Sequence, residues 1–189
     1  MKKPKTEKRK PATTYCEEIL CAGFGGQGIM FMGKLLAHAA LLDGKKVTWM
    51  PSYGAEVRGG TAHSMTKISD GYIASPIVTA PSLCVVMNLP SLVKYGDKVK
   101  PGGLLVANRS LIARLPKRRD IDVVKIPMTD IASKLGSAKA ANMVALGALV
   151  KRRGVVSKTS VLRALAESMK GKEALLALNK KAFEKGYTF

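Results

Sequence analysis

The residues best suited to chemistry form a glycine loop, residues 23–28 with the sequence GFGGQG, near the start of this 189-residue chain. The first, third and sixth positions match the GxGxxG spacing, in which glycines let backbone N–H groups approach an anion at the N-terminus of a helix. The predicted anion contacts are Gly25, Gly26, Gln27 and Gly28. Such glycines also serve close packing of a strand on a helix without any ligand, and the motif leaves both interpretations open.

A second candidate segment, residues 53–60, has the sequence YGAEVRGG. Arg58 is a permanent cation that is followed by two flexible residues, Gly59 and Gly60. This combination suits close approach to a phosphate, a carboxylate or another subunit. An internal ion pair between Arg58 and Glu56 is the alternative interpretation.

The elements that position these segments follow from hydrophobic periodicity. Residues 18–22 read as a buried strand, residues 29–42 have helical spacing, and Gly44 ends that helix. Residues 46–50 read as a second strand, which Pro51 stops. The length of this strand–helix–strand unit predicts a right-handed crossover with parallel pairing of the two strands.

Further along, residues 61–69 alternate as a strand does, and Asp70-Gly71 predicts a hairpin into residues 72–75. Helix and strand then alternate, and the last third is mainly helical, with Ser157 as a predicted N-cap. The predicted fold class is α/β: a Rossmann-like, mostly parallel sheet with a β-hairpin insertion and a helical C-terminal region. Residues 1–14 are predicted to be a disordered basic tail, and residues 15–189 a single domain.

The amino-acid composition limits the classes of function that the chain can have. The net charge of +19 calls for an anionic partner, because self-repulsion destabilises a compact chain. A stand-alone basic Rossmann-like module for nucleotides or nucleic acid is therefore the alternative function, although no nucleic-acid motif supports it. The three cysteines have no CxxC spacing for zinc or an iron–sulfur cluster. With no apolar run of about 20 residues to span a bilayer, we expect a cytoplasmic protein.

Enzymatic signatures are weak within the chain itself. A nicotinamide-dependent enzyme needs an acidic residue near the end of the second strand, and here that strand ends Trp49-Met50-Pro51. No paired carboxylates or hydrolytic triad are evident. We therefore predict no catalytic and no metal-binding residues in this chain.

Several segments resemble the gamma subunit of the 2-oxoacid:ferredoxin oxidoreductases, which include the pyruvate, 2-oxoisovalerate and 2-oxoglutarate synthases. The similarity runs from about Glu18 to the C-terminal region. It rests on the glycine loop with Ile29, on residues 51–60, 68–70, 75–78, 100–103 and 145–148, and on Asn142, Asn179, Ala182, Phe183 and Gly186.

The resemblance implies one part of a complex that oxidatively decarboxylates a 2-oxoacid and joins the acyl group to coenzyme A. Its partners would be the alpha, beta and ferredoxin-like delta subunits of the complex, and ferredoxin would be the electron acceptor. The resemblance implies no association with a membrane. Thiamine diphosphate, Mg²⁺ and the iron–sulfur clusters would belong to the partner subunits. This subunit would pack against them and help to hold coenzyme A through residues 25–28 and 58–60. The sequence of residues 49–53 is most similar to that of the family members that act on 2-oxoglutarate or on branched-chain 2-oxoacids.

Overall fold

The computed structural model describes residues 15–52 and 61–189, so that the predicted tail at residues 1–14 lies outside it. A mixed sheet carries helices on both faces. The strands are β1 (Cys16–Phe24), β2 (Lys46–Ser52), β3 (Thr61–Ser69), β4 (Leu83–Val86), β5 (Leu104–Asn108) and β6 (Asp122–Ile126). The helices are α1 (Ile29–Leu42), α2 (Leu89–Tyr95), α3 (Met128–Lys134), α4 (Ala141–Arg153), α5 (Lys158–Ser168) and α6 (Glu173–Tyr187).

The order of strands in the sheet is β2-β3-β1-β4-β5-β6. Strands β1, β4, β5 and β6 pair in parallel, which confirms the mostly parallel α/β sheet. The predicted direct pairing of β1 with β2 is wrong, because β3 lies between them and runs antiparallel to both. Since β1 and β2 still point the same way, the crossover through α1 skips one strand position.

The predicted hairpin from Asp70-Gly71 into residues 72–75 is also wrong. Residues 72–75 are not a strand, and Tyr72 is 91% exposed. Both edges of β3 are already paired, with β1 on one side and β2 on the other, so no edge is left for residues 72–75. The turn after β3 is instead tied to the start of β1, where Asp70 N donates to Tyr15 O over 3.2 Å.

The sheet separates two hydrophobic layers, and β1 contributes alternate residues to each. Ile19 and Cys21 pack into the layer that α1, α4 and α5 cover, whereas Leu20 and Ala22 pack into the layer on the α2 side. Burial raises the pKa of the Cys21 thiol to about 12. Because its thiol stays neutral, Cys21 is a core residue rather than a nucleophile.

Helices α4 and α6 cross with their backbones in contact. A Cβ atom at Gly147 would collide with the backbone carbonyl oxygen of Phe183, and one at Gly186 with that of Val144. The helical C-terminal region therefore packs through two glycines, because any side chain there would force the helices apart.

The carboxylate of Asp43 joins the end of α1 to the start of α5. It accepts hydrogen bonds from Ser157 N at 2.6 Å, from Ser157 Oγ at 2.9 Å and from Ser160 Oγ at 2.6 Å. Ser157 Oγ in turn accepts from Ser160 N over 3.1 Å, which confirms Ser157 as the N-cap. The N-terminus of α5 is thus capped twice, once from within and once from α1.

We expect Asp43→Ala to lower the free energy of unfolding by about 1 kcal/mol, the usual value of a partly exposed cap. Burial alone would raise the pKa of Asp43, but hydrogen bonds from Ser160 and Ser157 and the charge of Lys45 hold it below its ordinary value. Since the folded pKa is the lower one, the stabilisation is full above the unfolded pKa of about 3.9 and is lost as the pH falls through the folded pKa.

Urea unfolding of the purified chain at pH 7 and at acid pH measures this difference. Asp122→Ala, at an exposed carboxylate on β6, is the matched control and should leave stability nearly unchanged. An Asp43→Ala effect of equal size at both pH values would contradict the role of the carboxylate charge.

Candidate functional site

The glycine loop connects the carboxyl end of β1 to the start of α1, as the sequence predicts. It lies where the strand order reverses: the connection after β1 leads to the β2 side of the sheet, and the connection after β4 leads to the β5 side. In α/β sheets such a reversal opens a crevice at the carboxyl ends of the strands, and ligands bind there. Position in the sheet therefore favours a ligand site over a purely structural loop.

Gln27 holds the loop in shape from within. Its Oε1 atom accepts hydrogen bonds from Phe24 N at 2.7 Å and from Asn88 Nδ2 at 3.1 Å. Asn88 Oδ1 accepts from Ser91 N over 2.9 Å and caps α2. The loops that follow β1 and β4 are thereby locked together, so Gln27 is a positioning residue whose side-chain oxygen is already engaged.

Gly28 is the N-cap of α1 and has a left-handed backbone, with φ of 71°. Its carbonyl accepts a hydrogen bond from Asn142 Nδ2 over 3.1 Å. A Cβ atom at Gly28 would collide with that same Nδ2 atom. Conformation and space therefore both require glycine at this position.

Gly25 and Gly26 form the open side of the loop. Both are exposed, and a Cβ atom at either position would meet nothing within 4 Å. No side chain caps α1 at Gly28, and the first turn of α1 contains no acidic residue. The N–H groups at this end of α1 therefore face no carboxylate of their own helix, which is the arrangement that attracts anions.

Two clefts flank the loop. One, of about 200 Å³, lies towards β4 and α4 and is lined by Gly26, Gln27, Met87, Leu111, Thr129, Ala138, Lys139 and Ala141. The other, of about 210 Å³, is lined by Phe24, Gly25, Gly26, Gly28, Ile29, Met30 and Ala62. Gly26 borders both clefts, so an elongated ligand that crosses the loop could occupy both sides.

Asn142 offers an unused polar atom beside the loop. The residue is 4% exposed, and its buried Oδ1 atom has no hydrogen-bond partner among the residues that the structure describes. The bond from Nδ2 to Gly28 O fixes the orientation of the amide. A buried acceptor without a partner is costly, and neither cleft is lined by Asn142, so what the structure shows for this residue is that it holds Gly28 in place.

Asn108, at the end of β5, was not predicted from the sequence. It is fully buried, and its Nδ2 atom donates to Met87 O at 3.1 Å and to Thr129 Oγ1 at 2.9 Å. Its Oδ1 atom accepts from Met128 N at 3.1 Å. Asn108 thus holds the ends of β4, β5 and β6 together behind the first cleft. The only sequence signal for the role of Asn108 is its position at the end of a buried apolar strand, which Asn88 shares.

Arg58, Gly59 and Gly60 lie outside the described residues, so their predicted role stays a prediction. The nearest described part of the site is the wall of the second cleft at Ala62, two positions further along the sequence.

Neither of the two histidines, His38 and His63, lines the clefts beside the glycine loop. His38 Nε2 lies 3.1 Å from the carboxylate of Glu167. Burial, together with the charges of Lys94 and Lys98, lowers the pKa of His63, so this imidazole is neutral at pH 7.

Over residues 15–52 and 61–189, no three His, Cys, Asp or Glu side chains are grouped so that they could hold a metal ion. Among the described helices, none combines the length and apolar character that crossing a membrane requires.

Comparison with known proteins gives consistent similarities. The family model described as "Pyruvate ferredoxin/flavodoxin oxidoreductase" matches residues 18–189. The 2-oxoglutarate synthase subunit KorC of Methanocaldococcus jannaschii is 40% identical over 176 residues, which covers 90% of this chain and 92% of that protein.

Two solved structures have the same fold. The gamma subunit of a keto/oxoacid ferredoxin oxidoreductase from Geobacter sulfurreducens is 34% identical with a TM-score of 0.79, over 91% of this chain and 96% of its own. A 2-oxoglutarate:ferredoxin oxidoreductase from Magnetococcus marinus, with 2-oxoglutarate, coenzyme A and succinyl-CoA bound, is 29% identical with a TM-score of 0.83. The alignment with it covers 92% of this chain and 30% of that one.

Proposed function

The chain belongs to the pyruvate ferredoxin/flavodoxin oxidoreductase family as a gamma subunit of the 2-oxoacid:ferredoxin oxidoreductases, and we propose that it contributes the binding surface for coenzyme A. The observation that carries the proposal is the glycine loop at the reversal of strand order, with open backbone at Gly25 and Gly26 and a cleft on each side.

Coenzyme A suits this site by its chemistry. It is elongated and carries phosphate groups, which backbone N–H groups at the end of a helix bind well. Lys139, on the wall of the first cleft, adds an exposed cation. Arg58, Gly59 and Gly60 are proposed as further contacts. The Magnetococcus marinus relative, in which coenzyme A is bound, lends support by similarity.

Within this proposal the chain binds and orients coenzyme A, and the chemistry belongs to its partners. Gly25, Gly26 and Gly28 supply backbone N–H groups, whereas Gln27 and Asn142 keep the loop in place. Thiamine diphosphate with Mg²⁺, held by the partner subunits, would supply the activation of the 2-oxoacid, and iron–sulfur clusters there would supply electron transfer. We propose alpha, beta and ferredoxin-like delta subunits as these partners and ferredoxin as the acceptor.

For the substrate we propose 2-oxoglutarate, with a branched-chain 2-oxoacid as the second candidate. The 40% identity to a 2-oxoglutarate synthase subunit supports this order. The stand-alone nucleotide or nucleic-acid module is not favoured, since the family is one of enzyme subunits.

Reduction of a viologen dye by the assembled complex, assayed with several 2-oxoacids and coenzyme A, tests the proposal. We expect turnover by the complex, fastest with 2-oxoglutarate, and none by the purified chain alone. Turnover by the isolated chain, or a complex whose rate does not depend on coenzyme A, would contradict it.

A further inference from the structure

A groove on the C-terminal helices lies apart from the glycine loop. Leu135 and Leu162 form its apolar floor, and its volume is about 530 Å³. The other lining residues are Lys180, Lys181, Glu184, Lys185 and Thr188. We call this the α5–α6 groove, after the two helices that supply most of its walls.

The rim of the α5–α6 groove carries cations without partners. Lys180, Lys181 and Lys185 are exposed, and none of the three forms an ion pair within the described residues. The one acidic residue of the lining, Glu184, is already paired with Lys158 at 2.8 Å. The lining is therefore positive on balance, because its one carboxylate is paired and three of its lysines are not.

A basic pocket adjoins the groove and extends the positive surface. It has a volume of about 520 Å³ and is lined by Lys151, Arg152, Tyr187, Thr188 and Phe189. The ammonium groups of Lys151 and Lys158 lie 5.3 and 4.9 Å from the centre of the Tyr187 ring. Thr188 borders both the pocket and the α5–α6 groove, so the two form one continuous surface.

The charge of the whole region has the same sign. Residues 151–189 contain ten lysines and arginines against three glutamates. Two of the glutamates are paired: Glu184 with Lys158, and Glu167 with Arg163 at 3.0 Å. Cations in such excess are costly to hold close together unless an anionic partner neutralises them.

We propose that the α5–α6 groove and the adjoining basic pocket dock an acidic amphipathic segment of a partner subunit in the same assembly. Apolar side chains of that segment lie on Leu135 and Leu162, and its carboxylates face Lys180, Lys181 and Lys185. The proposal rests on the proposed function, which requires partner subunits. It adds a defined surface and a defined charge for one of their contacts.

Two other occupants fit less well. Nucleic acid would match the cations and find the rings of Tyr187 and Phe189 in the adjoining pocket, but it would bring no apolar side chains to cover Leu135 and Leu162. A second copy of this chain would bring the same net charge of +19 to the interface and be repelled. A partner with apolar and acidic side chains satisfies both the floor and the rim.

Lysine acetylation of the chain alone and of the chain in the assembled complex tests the proposal. We expect labelling of Lys180, Lys181 and Lys185 to fall on assembly, and carbodiimide treatment of the complex to link at least one of them to an Asp or Glu of a partner subunit. Equal labelling in an assembled, active complex would overturn this docking surface and leave the proposed function standing. Failure of the wild-type chain to join any complex would count against the proposed function itself.

The triple variant Lys180→Gln/Lys181→Gln/Lys185→Gln supplies a second measurement. Its dissociation constant from the partner subunits should rise about tenfold, since three exposed ion pairs are lost, and high salt should shrink the difference. The matched control Lys34→Gln/Lys46→Gln/Lys125→Gln removes the same charge from exposed positions on α1, β2 and β6. An equal effect of both triples, or lysine protection that disappears on nuclease treatment, would contradict the proposal.

Discussion

Replacing Gly186 by alanine should lower the free energy of unfolding by about 3 kcal/mol, and the midpoint of thermal unfolding by roughly 6–12 °C. The new methyl group would be driven into the backbone carbonyl of Val144, where α6 crosses α4. A backbone atom within a helix cannot rotate away as a side chain can, so the two helices must separate. Their shared core, with the fully buried Phe183, would lose contact.

Thermal unfolding of the purified chain measures this effect. Gly147→Ala, on the opposite side of the same crossing, should act in the same direction. Gly25→Ala is the matched control, because a Cβ atom there meets nothing within 4 Å and its backbone is not left-handed. Unchanged stability in both crossing variants would show that α4 and α6 do not pack as described.

Replacing Gly28 by alanine should raise the Michaelis constant for coenzyme A about tenfold in the assembled enzyme and leave that for the 2-oxoacid nearly unchanged. The left-handed backbone at Gly28 costs an alanine about 1–2 kcal/mol. The methyl group would also displace the side chain of Asn142. The loop would move, and its N–H groups would lose their alignment with the ligand.

Two further variants separate the causes. Gly28→Ala/Asn142→Ala removes the collision but keeps the backbone penalty, so it should recover only part of the affinity for coenzyme A. Gly171→Ala has a comparable φ of 78° in the connection between α5 and α6, and should reduce stability without altering the constant for coenzyme A. Equal changes for coenzyme A and the 2-oxoacid in Gly28→Ala would point to a general loss of structure instead.

Local signals in the sequence predicted the elements well. Glycine spacing located the loop at residues 23–28, and Ser157 was identified as an N-cap by its position before a periodic helix. Gly44 ends α1 as predicted: it has φ of 74°, and its N–H donates to Leu41 O at 3.0 Å. These features depend on residues within a few positions of each other, which is why sequence periodicity detects them.

Strand order was not predictable in the same way. The alternation in residues 61–69 identifies β3 as a strand but says nothing of which strands flank it. Its insertion between β1 and β2 depends on pairings such as Ala22 with His63, across 41 positions of sequence. The prediction of a hairpin at Asp70-Gly71 is wrong because a local turn signal cannot show that both edges of β3 are already paired.

The residues of the candidate site show the same difference between local signals and long-range contacts. Its glycines were found from their spacing, whereas the contact of Asn142 with Gly28 spans 114 positions and has no local signature. Asn108 likewise acts on the ends of strands that precede and follow it. Residues that support the loop from distant elements become visible only once the sheet is assembled.

Amide hydrogen exchange over residues 24–31 of the assembled enzyme, with and without coenzyme A, tests most directly whether the backbone of the glycine loop binds this cofactor. Coenzyme A should slow exchange in this segment, because its N–H groups would donate to the ligand, and Gly28→Ala should weaken that protection. Exchange that is unchanged at a saturating concentration of coenzyme A, in an enzyme that turns over with it, would contradict the account.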